Sequence, residues 1–453
     1  MKANLSSRLV SGLFWLLLAN LIVKPLWILG IEVGVQNAVG NQAYGFYAAL
    51  FNFSYIFNIL LDMGLTSFNT RNVARHPQNI GEYMSGILGI KILLFGLYLA
   101  VTFSVGLLMG YGSEEFHLLA LLTLCQFLNS LILFLRSNFE GLLLFKWDSL
   151  FSVLDRVLMI VICGLLLWAP RFSLFNIEFS VFHFVYAQLA AYGITAVLAL
   201  VVIARKAHLR WHWKAGSLSV LRASAPYALL VLLMAGYNRI DPILLRSMAS
   251  DADAGVYAGA FRLLDALSMV AYLVSVVLLP VFSKICAQSD SGELPGVLNL
   301  VFLPMMLFAI GCATVGALLA EPLLDILYRG RGDVYAPVFR VLIFGIIPIS
   351  ITYIFGTLLT AGGHLRQLNI FAATSLLINV AANLLLIPRL GAVGSAWASL
   401  TAQTFMALAQ LVLSLRIFHL PVRSLFALPR LSTLGSVLSD LRVSRGGDGP
   451  KSR

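Results

Sequence analysis

The chain has 453 residues, of which 60% are hydrophobic and only 11% are charged, and its mean hydropathy is +0.90. Soluble domains carry about 25% charged residues, and their cores stop growing near about 250–300 residues, so water-soluble cores cannot hide this much apolar surface. The composition therefore excludes a soluble multidomain enzyme, a disordered chain and a secreted disulfide scaffold. It indicates a polytopic membrane protein whose apolar surface faces lipid.

Twelve predominantly apolar runs are long enough to cross a bilayer, which takes about 20 residues in a helix. Because lipid offers no partner for free backbone N–H and C=O groups, and because the runs are long and uniformly apolar, we predict helices rather than β-strands. The predicted fold class is therefore an all-α polytopic membrane protein with about 12 transmembrane helices. The runs cover residues 9–31, 43–65, 85–109, 116–135, 148–168, 179–204, 223–245, 256–282, 295–320, 338–361, 367–387 and 392–418.

Basic residues lie mostly on one side of these predicted spans. If the N-terminus is cytoplasmic, basic residues in the loops and tails favour the cytoplasmic side by about four to one, which fixes both termini inside. This bias explains most of the net charge of +11, so no nucleic-acid partner is indicated. The four cysteines and seven histidines show no metal-ligand spacing, and no Walker-type phosphate loop occurs, so we expect no metal or cofactor.

The chain divides into two halves. The longest basic loop, 205–222, follows the sixth predicted helix, so we predict an N-terminal six-helix lobe at 1–204 and a C-terminal six-helix lobe at 223–418. A basic tail, 419–453, is predicted to be cytoplasmic. Residues 45–51 read GFYAALF and residues 255–261 read GVYAGAF, a short repeat at the start of the second helix of each half. Parallel repeats of this kind are typical of transporters that bind substrate between two lobes.

Three stretches carry a resemblance to a known family. Residues 43–75 contain Tyr-Gly-x-Tyr and Leu-Asp-x-Gly-Leu, residues 253–267 contain an equivalent element, and residues 358–403 contain Asn-Leu-x-Leu-Ile-Pro followed by Gly-Ala-x-Gly-Ser. They resemble the Wzx-type polysaccharide flippases of the multidrug/oligosaccharidyl-lipid/polysaccharide (MOP) exporter superfamily. In the last stretch, we expect Pro388 to stop one helix and Gly391 and Gly394 to form the turn to the next.

This resemblance implies a pseudo-symmetric, V-shaped transporter in the bacterial inner membrane. Its implied substrate is an undecaprenyl-pyrophosphate-linked oligosaccharide for surface polysaccharide synthesis, and its implied partners include membrane lipid, a polysaccharide polymerase and glycosyltransferases. Such a protein is not an enzyme. The residues alone are consistent with this, because the longest predicted external loop, 321–337, is short and His183 is the one histidine well inside a predicted span.

Charged residues inside the predicted spans are the best functional signal, because each costs several kcal/mol to bury in lipid. Four cations, Lys24, Arg156, Arg239 and Arg262, are predicted to line a cavity that binds the pyrophosphate. If transport is instead coupled to an ion, the candidate carboxylates are Asp62, Asp155 and Asp241.

The spacing of some of these charges also suggests structural roles. Arg262 and Asp265 are three residues apart and are able to pair on one helix face. Lys24 precedes Pro25, and Arg239 lies shortly before Pro242, so we expect a helix discontinuity in the first helix of each half. Asp62 and Lys91 are expected to reach the cytoplasmic membrane edge.

Other functions stay open at this level. A multidrug cation antiporter of the same fold would need a more acidic cavity than this one. A lipid II flippase would generally have 14 spans, whereas we count 12 here. A membrane-embedded glycan polymerase or acyltransferase is a more remote alternative, because it would need a large external loop or a buried catalytic histidine.

Overall fold

The computed structural model describes residues 23, 26–75, 77–142, 144–168, 178–207, 218–288, 294–421 and 425. In these residues the chain forms helices and short turns and contains no strand. A π-helix, Leu26–Glu32, is the first element, and the α-helices follow it. They are α1 (Val33–Ile56), α2 (Leu65–Arg75), α3 (Ile80–Leu108), α4 (Ser113–Gly141), α5 (Phe145–Phe151), α6 (Leu154–Trp168), α7 (Val181–Ala207), α8 (Leu218–Met248), α9 (Asp251–Gln288), α10 (Leu294–Leu318), α11 (Ala320–Leu327), α12 (Gly332–Leu342), α13 (Ile346–Ala361) and α14 (Leu365–Ile417).

Nine helical stretches within the described residues are long and apolar enough to cross a membrane. Large apolar side chains on these helices point outward, including Leu93, Leu108 and Leu377, which are 73%, 87% and 69% exposed. Outward-facing leucines on long helices are stable in lipid and costly in water. The chain is therefore an all-α, multi-pass membrane protein, as its composition predicted.

The described residues contain most of the 12 predicted spans. Most of the first predicted span, 9–31, lies outside them. The predicted spans 367–387 and 392–418 both fall within α14, which a backbone break at Gly391 divides in two. The predicted span 223–245 lies within α8, which is not among the nine apolar stretches. Twelve spans therefore stays a prediction.

Several predicted helix ends are wrong. Pro388 does not stop its helix, because α14 continues past it to Gly391, which has a φ of +54°. α8 runs through Pro242 without interruption, so the expected discontinuity is absent there. The predicted external loop 321–337 is largely helical, in α11 and the first part of α12. In α1 the helix breaks at Gly40, which has a φ of +81°. Glycine adopts a positive φ at little energetic cost because it has no Cβ atom.

Each half of the chain has its own apolar core. In the first half, α1, α4, α6 and α7 pack around Tyr47, Leu118, Met159 and Phe184, which are all buried. In the second half, α9, α12 and α13 pack around Tyr257, Leu264, Phe339 and Ile346. The halves meet where α1 packs along α8 and α9.

Two glycines make the closest approach between the halves. A Cβ on Gly45 would lie 1.7 Å from the carbonyl oxygen of Asp251, and one on Gly255 would lie 2.1 Å from that of Asn41. Gly45 and Gly255 are the first residues of the two repeated heptapeptides. Glycine is therefore required here because the two backbones touch. In the predicted orientation, this crossing lies at the extracytoplasmic end of the molecule.

Polar side chains extend this contact between the halves. Gln36 donates to the carbonyl of Gly255 and to the hydroxyl of Tyr335, at 2.8 and 3.2 Å, and the Tyr335 hydroxyl also donates to Asn41. Arg246 on α8 forms ion pairs with Glu115 of the first half at 2.7 Å and with Asp251 at 2.8 Å. We call this region, formed by residues 36–45, 115, 246–255 and 335, the outer contact. Its hydrogen bonds and ion pairs can re-form with water, unlike the apolar core of either half.

Candidate functional site

A cavity of about 590 Å³ lies between the two halves. The first half contributes side chains from the π-helix, α1, α4, α6 and α7, and the second half contributes side chains from α8, α9 and α13. Its charged lining residues are three arginines and two carboxylates: Glu32, Arg156, Arg239, Arg262 and Asp265. Three of the four cations predicted from the sequence thus lie around one cavity. Lys24, the fourth, lies outside the described residues.

Arg156 lies close to two aromatic rings of the first half. Its guanidinium carbon is 5.4 Å from the ring centre of Trp27 and 5.8 Å from that of Tyr192, which are cation–π distances. Its Nε is 3.7 Å from the carboxylate of Asp155, the preceding residue. The side chain of Arg156 remains 30% exposed, so it can reach a ligand in the cavity without leaving this aromatic site.

Arg239 projects from α8 toward the first half. Its Nη1 donates to the side-chain oxygen of Asn52 at 3.3 Å, and its guanidinium lies 4.8 Å from the ring centre of Tyr55. Among the described residues, no carboxylate lies within 4 Å of this guanidinium. Arg239 therefore presents a positive charge that only neutral groups compensate locally.

Arg262 is the most enclosed of the three, with 5% of its surface exposed. Its Nε donates to Glu32 at 3.1 Å, its Nη1 donates to the hydroxyl of Tyr328 at 2.9 Å, and its face lies 5.0 Å from the ring centre of Tyr44. The predicted pair with Asp265 is wrong: Asp265 is exposed, and Arg262 forms its ion pair with a carboxylate of the other half.

Sequence reasoning missed Glu32 as part of the site. We placed residue 32 just after the first span, in a loop, and so did not count it among charges in the membrane. The helical structure continues instead from Leu26 through Glu32 into α1, which carries Glu32 to the edge of the cavity. The sequence gives no clear signal for this, because five of the eleven residues at 32–42 are polar and favour a loop.

Asp241 lies away from the cavity, inside the second half, and is 1% exposed. One carboxylate oxygen accepts hydrogen bonds from the amides of Asn379 and Asn383, at 3.1 and 2.8 Å. The other accepts from the hydroxyls of Tyr257 and Ser399, at 2.7 and 2.5 Å. Four neutral donors thus surround a buried carboxylate, and no basic side chain of the described residues lies within 4 Å of it.

The other two candidate carboxylates have basic partners. Asp62 accepts a hydrogen bond from Lys91 at 3.1 Å, and Lys91 also donates to the carbonyl of Leu61 and to Ser130. Lys91 is only 1% exposed, so the expectation that it reaches the membrane edge is wrong. Asp155 is close to Arg156, as described above. Within the described residues, no cluster of three or more His, Cys, Asp or Glu side chains is arranged to hold a metal ion.

Several solved structures of transporters have a similar fold. A structure described as the lipid II flippase MurJ in an inward closed conformation matches with a TM-score of 0.73 and 14% identity, over 96% of this chain and 93% of that chain. A multidrug resistance MATE family transporter of the MOP superfamily, in an inward-facing conformation, matches with a TM-score of 0.69 and 14% identity, over 90% and 98%. A MOP superfamily transporter from Pyrococcus furiosus, described as having a binding pocket of reversed polarity, gives 0.58 and 15%, over 92% and 95%.

Identities this low establish the fold and not the substrate. No curated protein sequence matches this chain. The family described as "Polysaccharide biosynthesis protein" matches residues 9–286, which is more than half of the chain. The match includes the first half, the loop 205–222, and the helices α8 and α9 that carry Arg239 and Arg262. The chain therefore belongs to the polysaccharide biosynthesis protein family and has the fold of the MOP superfamily transporters.

Proposed function

We propose that this protein is a flippase that moves undecaprenyl-pyrophosphate-linked oligosaccharides across the bacterial inner membrane for surface polysaccharide synthesis. The observation that carries the proposal is the gathering of Arg156, Arg239 and Arg262 around one cavity between the halves. Membership of a polysaccharide biosynthesis family supports a glycan substrate. The similarity to a lipid II flippase supports a lipid-linked one.

The cavity chemistry fits the head group of such a lipid. Arginine binds phosphate through parallel N–H···O bonds, and cations held by aromatic rings keep their charge while losing little mobility on binding. Tyrosine, asparagine and glutamine side chains also line the cavity and match sugar hydroxyls. They include Tyr47, Asn52, Tyr55, Gln126, Asn129 and Gln188. The prenyl chain would remain in lipid while the head group crosses.

Transport would follow from relative motion of the two predicted lobes, 1–204 and 223–418. In this proposal the outer contact would close one end of the cavity, and opening it would expose the arginines to the other side of the membrane. An inside-negative potential favours outward movement of an anion by about 2.3 kcal/mol per charge per 100 mV. The predicted cytoplasmic position of both termini and of 205–222 gives the direction of export.

We further propose Asp241 as the carboxylate that couples transport to a monovalent cation. Asp62 and Asp155 each have a basic side chain nearby, whereas Asp241 has only neutral donors. The amide oxygen of Asn383, whose nitrogen bonds Asp241, is buried and has no hydrogen-bond donor in the described part of the chain. A cation bound there would gain this oxygen and the carboxylate together. This feature also suits the multidrug antiporter alternative, so the transported molecule has to be identified directly.

The test is glycan export by arginine variants. Arg239→Ala should reduce export of the surface polysaccharide by at least about tenfold, because one charge-assisted phosphate contact is worth roughly 1.5–3 kcal/mol. Arg239→Lys should be nearly as severe if paired N–H contacts bind the phosphate, and milder if point charge suffices. Export would be measured as surface polysaccharide per cell, with the amount of protein in the membrane measured in parallel.

Arg340→Ala is the matched control. Arg340 is an arginine of the second half that does not line the cavity, and its only ion pair in the described residues, with Glu321, joins two half-exposed side chains. Its loss should leave export unchanged. Normal export by all four variants Lys24→Ala, Arg156→Ala, Arg239→Ala and Arg262→Ala would contradict the cationic cavity. Sensitivity to cationic dyes with intact polysaccharide would instead favour multidrug transport.

A further inference from the structure

We propose that Glu32 acts as an internal anion that occupies Arg262 in the absence of substrate, and that a bound phosphate displaces it and so loosens the outer contact. The inference rests on the proposed function.

Glu32 lies where it competes directly with a phosphate. Its two carboxylate oxygens accept hydrogen bonds from Trp27 at 3.0 Å and from Arg262 at 3.1 Å, and its side chain is 27% exposed. It lines the same cavity as Arg156, Arg239 and Arg262. An anion attracted by these arginines therefore competes with the carboxylate of Glu32 for Arg262. A pyrophosphate carries more charge and more acceptor oxygens than one carboxylate, so it should win this competition.

Arg262 is not fully bonded in the presence of Glu32. Its Nη2 is buried and has no hydrogen-bond acceptor among the described residues. Unpaired buried donors on a charged group are costly, and an arginine has five N–H donors to satisfy. A single carboxylate oxygen on Nε leaves this donor free, whereas a phosphate with several oxygens is able to bond Nε and Nη2 together. The geometry thus favours exchange of the carboxylate for a larger anion.

The exchange has a mechanical consequence because Glu32 and Arg262 belong to different halves. Arg262 also donates to the Tyr328 hydroxyl, and Tyr328 stacks on Tyr335 with ring centres 4.0 Å apart. Tyr335 in turn bonds Gln36 and Asn41 in the outer contact. Loss of the Glu32 ion pair removes one bond between the halves and releases the end of this chain of contacts. Substrate binding is thereby coupled to opening of the outer contact.

The test measures ligand affinity and the width of the outer end in the same variants. The probe is undecaprenyl pyrophosphate, added to the full-length protein in lipid nanodiscs. Spin labels would be placed at Met109→Cys and Leu319→Cys, two exposed positions in opposite halves, after replacement of the four native cysteines by alanine. The label-to-label distance would be measured by pulsed electron paramagnetic resonance, with and without the probe.

Glu32→Gln should bind the probe about fivefold more tightly than the unmodified protein, because the competing charge is gone. Without any ligand, its label distances should already include the longer population that the probe produces in the unmodified protein. Asp265→Asn is the matched control. It removes an equal charge from the same cavity without breaking a bond between halves, so it should change affinity less and leave the distance unchanged.

Tyr328→Phe tests whether the bond between Arg262 and Tyr328 transmits substrate binding to the outer contact. It keeps the stacked ring and the Glu32–Arg262 pair but removes the hydroxyl that Arg262 bonds. Probe affinity should stay close to that of the unmodified protein, while the probe-induced change in distance should shrink.

Equal affinities in Glu32→Gln and Asp265→Asn, or a Glu32→Gln protein as closed as the unmodified one, would overturn the inference. Absence of probe binding to the unmodified protein would contradict the proposed function instead. The ligand-free distance in Glu32→Gln would then still decide whether this ion pair holds the outer end closed.

Discussion

Each half of the molecule holds an aspartate among polar side chains, Asp62 partly exposed and Asp241 buried, and the two halves stabilise it in different ways. In the first half, Asp62 has the ammonium group of Lys91 as its partner, and that group also bonds a backbone carbonyl and a serine hydroxyl. In the second half, Asp241 is surrounded by Asn379, Asn383, Tyr257 and Ser399, none of which carries a positive charge.

This difference indicates that Asp62 has a structural role and that Asp241 is able to bind and release a cation. A carboxylate with a lysine beside it has a permanent counter-charge, and its removal exposes a buried ammonium group. A carboxylate that only neutral groups surround in the protein has to take its positive charge from outside, as a proton or a metal cation, to be fully compensated. We therefore expect substitution of Asp241 to affect transport, and substitution of Asp62 or Lys91 to affect stability.

The largest effect should come from Asp241→Asn. The amide preserves the volume and part of the hydrogen bonding, so the protein should fold, but it binds a cation far more weakly than a carboxylate does. Polysaccharide export should fall about tenfold or more and should no longer respond to an imposed sodium or proton gradient. Normal export with an unchanged gradient response would remove Asp241 from the mechanism.

Next in size is Lys91→Met, which should act on stability. Methionine fills a similar volume but removes the ammonium group that donates to Asp62, the Leu61 carbonyl and Ser130. Thr66 still donates to Asp62, and Ser130 still donates to the Leu61 carbonyl, but the carboxylate has lost its counter-charge. Breaking a buried ion pair on one side costs about 3–5 kcal/mol, and the 30% exposure of Asp62 places this case at about 2–3 kcal/mol. A lower melting temperature in detergent, with export retained at permissive temperature, is the expected result. Loss of export at normal protein levels would give Lys91 a transport role.

Asp62→Asn should have a smaller effect on the same property. Lys91 keeps its bonds to the Leu61 carbonyl and Ser130, and the asparagine oxygen can still accept from it. We expect a loss of about 1–2 kcal/mol in unfolding free energy, measured beside Lys91→Met in one thermal series. The double variant Lys91→Met with Asp62→Asn should be more stable than Lys91→Met alone, since the uncompensated carboxylate is gone.

Asp155→Asn should have the smallest effect. Its contact with Arg156 is long, at 3.7 Å, and the guanidinium also lies within cation–π distance of Trp27 and Tyr192. Export should remain within about twofold of the unmodified protein, since exposed or poorly aligned ion pairs contribute about 0–1 kcal/mol. Strong loss of export, or a new sensitivity to cationic dyes, would show that an aspartate of the first half also takes part in transport.

The sequence alone determined the class of the protein and most of its helices. Apolar runs of about 20 residues form helices in lipid, because every backbone group has to form its hydrogen bond within its own segment. The cost of charge in lipid also made Arg156, Arg239, Arg262 and Asp241 visible as candidates before any coordinates were considered. The repeated heptapeptides even marked Gly45 and Gly255, which turned out to touch.

Only the tertiary structure decided which charges act together. Sequence spacing suggested Arg262 with Asp265, but Arg262 bonds Glu32, 230 residues away in the other half. Asp241 gains its four donors from three other helical segments, and Lys91 bonds a carbonyl 30 residues away. Local periodicity reports which face of a helix a residue occupies, whereas the partner on that face depends on how the helices pack. That packing is set by shape and by the glycine crossing at the outer contact, which no single segment contains.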